Sequence, residues 1–175
     1  MVAAAIKAGR FYGYALIQLL IEPGLFFKEL EEKTRPRRAV EFMAICCLFY
    51  TLASLLTGAY SQPVGIMAVI FFMNAAGMIL ISSTLGYMTM VMIAGKKASF
   101  AIVFSIYAFS SGVTLFLSWL PFLVWITEPW KWWLVCTGLK HACHMSWKKS
   151  IPIVALSTIV LFFLVYSAHL AFVNN

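Results

Sequence analysis

Long apolar runs, separated by short polar stretches, fill the chain from residue 39 onward. A transmembrane helix needs about 20 mainly apolar residues in sequence. The pattern therefore predicts an all-α fold, a polytopic transmembrane helical bundle with five spans. We place these spans at about 39–59, 63–94, 99–119, 122–141 and 152–171.

The first 38 residues have a different pattern, in which polar side chains recur every three or four positions. This spacing predicts one polar stripe along a helix. Pro23 suits the first turn of a second short helix that ends near Glu32. We expect two amphipathic helices in the membrane interface, and divide the chain into a cytoplasmic or interfacial segment, 1–38, and a transmembrane domain, 39–175. The stripe comprises Lys7, Arg10, Tyr14, Gln18 and Glu22.

The second apolar run, 63–94, is long for a single span. As one helix it would measure about 48 Å, against about 30 Å for the hydrocarbon core. Two spans with a turn would need about 40 apolar residues, so we expect one helix. It tilts, projects from the membrane, or bends near Gly77 or Gly86.

The fourth span allows two placements, because Glu128 and Lys131 interrupt its apolar run. In the first, a helix over 122–141 carries both charges inside the membrane, where they share a face and can pair. In the second, Glu128 and Pro129 form an outside turn beside a belt of tryptophans. That turn would leave only about 18 Å of helix before Lys140, which is short for a span. Length and pattern favour the first placement without excluding the second.

The positive charges are concentrated in alternate loops, and the net charge is +7. Cytoplasmic loops of membrane proteins carry an excess of Lys and Arg. This rule predicts a multi-pass protein of the cytoplasmic (inner) membrane with a cytoplasmic N-terminus and a C-terminus outside. The same cations are candidates for contact with lipid headgroups or cytoplasmic partners. They are Arg35, Arg37, Arg38, Lys96, Lys97, Lys148 and Lys149.

Composition excludes several classes of protein. Only 11% of the residues are charged and 63% are hydrophobic, whereas soluble domains carry about 25% charged residues. No basic face is left over to bind nucleic acid. Phosphate loops, nucleophile elbows and paired carboxylates are not found, so we predict neither an enzyme nor a cofactor. His141 and His144 with nearby cysteines lack a second ligand set, and we predict no metal.

Small residues spaced four apart allow helices to approach closely. Gly58, Gly86, Gly112 and Gly138 belong to such pairs and are candidate packing positions. The second span also carries a polar group. We favour hydrogen bonds to neighbouring helices over a narrow cavity for its members, because the other spans lack matching charges. They are Asn74, Ser82, Ser83 and Thr84.

Ionisable residues inside a membrane are rare and often functional. Glu128 and Lys131, with Asn74, are therefore the candidate intramembrane polar site. The alternative is that the two charges lie at the membrane rim and extend into water.

Several short stretches, most of them in the C-terminal half, match a known pattern: Lys97-Ala98-Ser99-Phe100, Tyr107-Ala108, Trp133, Gly138-Leu139, Ser146 and Lys148-Lys149. Through them the chain resembles, over about residues 17–170, the prokaryotic branch of the Yip family, multi-pass proteins named after Ypt/Rab-interacting proteins. A basic stretch and five spans follow Pro23 to Phe27, and Glu128 and Lys131 depart from the family pattern. The resemblance implies a non-enzymatic protein that organises other membrane proteins, and it favours the first placement of span four.

Two functions remain after these exclusions. The first is a scaffold or accessory subunit of a membrane-protein complex or of a trafficking or transport system, with the basic face and N-terminal helices as its docking surface. The second is a small transporter, channel or lipid-handling protein that uses Glu128 and Lys131. The expected partners are the lipid bilayer, other integral membrane proteins, among them a transporter complex, and further copies of this chain.

Overall fold

A computed structural model describes residues 2–33, 36–58 and 60–173. Within these residues the chain forms seven α-helices, and a one-turn 3-10 segment, Pro121–Leu123, precedes the sixth. The predicted all-helical fold is confirmed. The helices are α1 Val2–Ile21, α2 Pro23–Lys33, α3 Pro36–Thr57, α4 Val64–Ala94, α5 Phe100–Ser118, α6 Val124–Ala142 and α7 Trp147–Val173.

Helices α3 to α7 correspond to the five predicted spans. In the described part of the chain, four helices are long and apolar enough to cross a membrane, namely α3, α4, α5 and Trp147–Ser167 of α7. Helix α6 has 19 residues but includes Glu128, Lys131 and Lys140. The helix is continuous through Glu128 and Pro129, which excludes a turn there and agrees with the helix of the first placement. The position of the two charges inside the membrane stays a prediction. The architecture is consistent with five spans.

Ring contacts show that α3 and α5 run in the same direction. The rings of Phe42 and Phe109 have centroids 4.9 Å apart. Two helical turns further along both helices, those of Phe49 and Phe116 are 4.7 Å apart. Both helices therefore begin at the same end of the bundle.

Helices α4 and α6 run opposite to α3 and α5, and α7 runs in the same direction as α3 and α5. The hydroxyls of Ser118 and Thr127, at the end of α5 and the start of α6, are 3.4 Å apart. Thr89, near the end of α4, lies 3.5 Å from the carbonyl oxygen of Ile153, near the start of α7. Directions thus alternate from α3 to α7, and the start of α3 shares one end with the α4–α5 and α6–α7 loops.

Helix α5 is the centre of the bundle. All its residues from Val103 to Thr114 are buried. By contrast, only 11% of the apolar stretch of α4 is buried, against 67% for α5. The outer faces of α4 and α7 expose large apolar side chains such as Met73, Met92 and Phe163. Such surfaces suit contact with lipid tails.

Helix α4 continues without a break from Val64 to Ala94. Its 31 residues correspond to about 46 Å of helix, which is longer than the hydrocarbon core as predicted. Helix α7 differs from its predicted start by five residues. It begins at Trp147 because the Ser146 carbonyl accepts bonds from the N–H groups of Lys149 and Ser150, both at 3.0 Å. Pro152, expected in the first turn, therefore lies inside the helix.

The two N-terminal helices pack against the bundle toward the end where α3 and α5 begin. Phe26 of α2 has its ring centroid 5.0 Å from that of Phe109. Gly24 lies so close to His141 that an added Cβ would meet the ring nitrogen Nε2 at 3.3 Å. Gln18 departs from the predicted polar stripe, since it is buried and its Nε2 lacks a hydrogen-bond partner among the described residues. Ile21 is instead 73% exposed.

Candidate functional site

A cavity of about 360 Å³ lies among α3, α4, α5, α6 and α7. Its wall is rich in polar groups for a bundle of this composition. The structure brings the three predicted intramembrane residues, Asn74, Glu128 and Lys131, to this one wall although 54 residues separate the first two along the chain. The polar lining is Tyr50, Asn74, Ser82, Ser111, Thr114, Ser118, Glu128 and Lys131.

Glu128 and Lys131 form an ion pair on one face of α6. The Lys131 ammonium donates to Glu128 Oε1 at 2.6 Å, across three residues. The pairing follows from the helical repeat, which brings positions three apart together. The side chains are 27% exposed for Lys131 and 42% for Glu128. Both charges therefore remain accessible from the cavity while their attraction limits the cost of removing them from water.

A row of hydroxyls on α5 forms the facing wall. Thr114 donates to the Ser111 carbonyl at 3.0 Å, and Ser118 donates to the Thr114 carbonyl at 2.8 Å. The hydroxyl protons of Thr114 and Ser118 are satisfied within their own helix, and both hydroxyl oxygens keep acceptor capacity. We did not select these residues from the sequence. Their spacing of three and four was the available signal, since it places them on one helix face.

The polar group of α4 behaves differently from the expectation. Ser83 and Thr84 donate to the carbonyl of Leu80 in their own helix, at 2.9 and 2.8 Å. Asn74 and Ser82 line the cavity. The preference for hydrogen bonds between helices is therefore wrong for Ser83 and Thr84, because a hydroxyl in a helix can bond to the carbonyl one turn back.

A smaller space of about 60 Å³ continues inward from the ion pair. It shares Glu128 and Lys131 with the main cavity and reaches Tyr107 and Ser157. The hydroxyls of these two residues are 3.5 Å apart. Tyr107, which belongs to the Tyr107-Ala108 stretch of the family resemblance, thus lies at the inner end of this space.

Toward the other end of the bundle, a third space of about 430 Å³ adjoins the main cavity through Tyr50 and Ser118. It lies beside the α3–α4 and α5–α6 loops. There the Tyr60 hydroxyl donates to the Ser54 carbonyl at 3.0 Å. Because neighbouring spaces share lining residues, we call the three together the polar vestibule, which lies between these loops and Tyr107.

The four predicted packing glycines have different surroundings. An added Cβ at Gly112 would lie 2.7 Å from the Phe42 ring. Gly86 lies directly against Tyr107, and Gly138 against Ile106, so both are at contacts with α5. Gly58 follows the end of α3 and meets the ring of Tyr60, which belongs to the adjoining loop.

The predicted basic residues lie at the end of the bundle opposite the vestibule mouth. Arg37 and Arg38 begin α3, and all the described members of the set are exposed: Arg37, Arg38, Lys96, Lys97, Lys148 and Lys149. Arg38 stacks over the Phe11 ring at 4.6 Å, and Arg37 pairs with Glu41 at 2.9 Å. Arg35 lies outside the described residues.

The histidine and cysteine positions do not converge. Across residues 2–33, 36–58 and 60–173, no three His, Cys, Asp or Glu side chains gather as a metal site would require. His141 packs at the α1–α2 turn beside Gly24. The thiols of Cys46, Cys47 and Cys136 are buried. Nothing in this geometry assigns these residues a chemical role.

Comparison with known proteins identifies the family. A family model described as the Yip1 domain matches residues 17–168, which includes the end of α1, α2 to α6 in full and most of α7. No curated protein and no solved structure matches the chain significantly. The family match agrees with the resemblance noted in the sequence and with the apolar helices of the bundle. The chain is therefore a multi-pass integral membrane protein that belongs to the Yip family.

Proposed function

We propose that this protein is a non-enzymatic scaffold or accessory subunit of an assembly of membrane proteins in the cytoplasmic membrane. The observation that carries the proposal is the gathering of exposed cations at one end of the bundle, beside the N-terminal helices. We call this surface the basic end, and define it by Arg37, Arg38, Lys96, Lys97, Lys148 and Lys149.

The charge distribution supports a cytoplasmic location of the basic end. The loops at the opposite end, 58–63 and 119–123, contain neither Lys nor Arg. This asymmetry is the one that orients membrane proteins with positive loops inside. The N-terminus is then cytoplasmic and the C-terminus outside.

The N-terminal helices add an apolar component to the same end. Ile17, Leu20 and Ile21 of α1 are exposed at 56%, 49% and 73%. Apolar side chains next to cations suit a surface that contacts both headgroups and another membrane protein. A docking surface of this kind needs no reactive group, in agreement with a non-enzymatic role.

Cross-linking in native membranes tests this role. The wild-type chain is cross-linked, purified in mild detergent and compared with a variant in which Lys96, Lys97, Lys148 and Lys149 are replaced by Gln. We expect specific membrane-protein partners whose recovery falls in the variant. A matched control replaces Ser61 and Gln62, at the opposite end, by Ala and leaves recovery unchanged.

The orientation of the variant must be checked separately, because the same lysines influence topology. A protease-accessible tag at the C-terminus serves this purpose. Recovery of the same partners from the correctly oriented variant would overturn the proposal, and so would recovery of the wild-type chain alone.

A second candidate function is a small transporter, channel or lipid-handling protein. The polar vestibule favours it, because a cavity with paired charges inside a bundle is typical of solute or headgroup sites. Solute flux or lipid transfer by the pure protein in liposomes would support this function. The E128Q variant should reduce that activity, and the T84V variant, which removes an exposed hydroxyl outside the vestibule, should not.

A further inference from the structure

The ion pair of α6 has unused capacity for hydrogen bonds. An ammonium group has three N–H donors and a carboxylate has two acceptor oxygens. The bond between Lys131 and Glu128 Oε1 uses one donor and one of the oxygens. In a low-dielectric site the remaining donors and acceptors require water or a polar ligand, because unsatisfied charged groups are costly there.

The inner part of the vestibule also adjoins an apolar groove between α6 and α7. The groove has a volume of about 320 Å³, and its lining includes Cys136, Ala155 and Ile159. Trp132, Val154 and Thr158 line both the groove and the inner space that contains the ion pair. A paired-charge site and an apolar groove are therefore next to each other on the same two helices.

We infer that Glu128 and Lys131 bind a zwitterionic ligand containing an ammonium and a phosphate, and that this ligand is the headgroup of a phospholipid whose acyl chain lies in the α6–α7 groove. The ligand ammonium bonds to the Glu128 carboxylate, and its phosphate to the Lys131 ammonium. Both protein charges keep an opposite charge, so the site stays neutral. This holds for either candidate function.

Charge matching selects among lipids. A purely anionic headgroup would satisfy Lys131 but would place a second negative charge beside Glu128. A quaternary ammonium has no N–H group to donate to Glu128. A headgroup with a primary ammonium, such as phosphatidylethanolamine, satisfies both residues. The hydroxyls of Ser82 and Ser111 line both the main cavity and the smaller inner space, where they can complete the hydrogen bonds of the headgroup.

Native mass spectrometry of the delipidated protein tests the inference. The chain is mixed with equal amounts of phosphatidylethanolamine, phosphatidylcholine and phosphatidylglycerol that carry identical acyl chains. We expect the ethanolamine lipid to be retained about tenfold more than the glycerol lipid, and this preference to be lost in E128Q and in K131Q. T84V, which removes an exposed hydroxyl bonded to the Leu80 carbonyl outside the vestibule, keeps the preference.

The groove is tested by A155W, which fills it from the exposed side without touching the ion pair. This variant should lose bound lipid and yet retain binding of free phosphoethanolamine, because the short ligand does not use the groove. Circular dichroism confirms that each variant is folded before it is compared. Equal retention of the three lipids by the wild-type protein would overturn the inference.

Free phosphoethanolamine distinguishes a phospholipid from a soluble ligand of the same headgroup chemistry. If it binds in a Glu128-dependent way and the lipid neither binds nor competes, the zwitterion chemistry stands but its lipid source is wrong. Loss of lipid preference in folded T84V to the same extent as in E128Q would also overturn the assignment, because the ion pair would then have no specific part in it.

Discussion

The phenol group of Tyr107 occupies the space that a side chain at Gly86 would fill. Gly86 is on α4 and Tyr107 on α5, and an added Cβ would overlap the ring and its hydroxyl. This contact holds the two helices together at the inner end of the vestibule. It also explains why a bulky polar side chain fits in the middle of the bundle, since the glycine opposite leaves the room for it.

Substitution of Gly86 by Ala should destabilise the bundle. The new methyl group forces the Tyr107 ring or one of the helices to move, which costs about 1–3 kcal/mol. The free energy of unfolding can be measured by reversible denaturation in mixed micelles.

Gly77 provides the matched control, because it lies on the same helix and an added Cβ there meets no atom within 4 Å. G77A should be neutral or stabilising by up to about 1 kcal/mol, since Ala favours helix more than Gly does. Equal effects of G86A and G77A would contradict the proposed contact.

Removing one member of the α6 ion pair should cost more than removing both. K131L leaves the Glu128 carboxylate without its opposite charge in a partly buried site, and we expect a loss of about 1–2 kcal/mol. The double variant E128L/K131L replaces both charges with apolar groups and should recover part of this loss.

The same denaturation experiment reports the coupling between the two residues as a double-mutant cycle. Strictly additive effects of E128L and K131L would show that the 2.6 Å contact contributes no energy.

The contact between α1 and α3 should contribute to the free energy of unfolding in a pH-dependent way. The Tyr12 hydroxyl donates to Glu41 Oε2 at 2.5 Å. Burial, followed by this hydrogen bond and the charge of Glu41, raises the pKa of Tyr12 from 10.0 to about 12. A raised pKa for an acid means that its stabilising contribution is complete below pH 10 and is lost as the pH rises towards 12.

The difference in stability between the wild type and Y12F should therefore shrink between pH 10 and pH 12. Thermal unfolding in nanodiscs, compared at each pH, removes the contribution of the other tyrosines because both proteins share them. A constant difference across this range would contradict the link between Tyr12 and Glu41.

Cysteine labelling tests the proposed orientation. Cys46, Cys47 and Cys136 are buried and should react slowly with a membrane-impermeant maleimide. We expect S61C to be labelled in intact cells, and K97C to be labelled only after the membrane is permeabilised. The reverse pattern would place the basic end outside.

The helices were predictable because lipid imposes a simple rule of length and polarity. The predicted start of α4 differs from the observed one by a single residue, whereas α7 begins five residues early. That error arose from assigning Pro152 to a first turn. A proline in the second turn of a helix is tolerated, since only one backbone hydrogen bond is lost. The sequence does not reveal which turn Pro152 occupies.

The cavity was only partly accessible to sequence reasoning. Glu128 and Lys131 were recognisable by charge, and their pairing by spacing. Their proximity to Asn74 depends on how α4 and α6 pack around α5, and pairwise spacing within one helix carries no information about that. Ser111, Thr114 and Ser118 were missed because hydroxyls in spans are common and usually bond to their own helix.

The central position of α5 has a consequence for biosynthesis. Helices α3 and α4 leave the ribosome before it, so Phe42 and Cys46 of α3, buried in the finished protein, must first meet lipid or an insertase. Gly112, which accommodates both, arrives only with α5. The nascent chain therefore exposes this part of the α3 surface until α5 enters the membrane, so a form truncated before α5 would lack its packing partner.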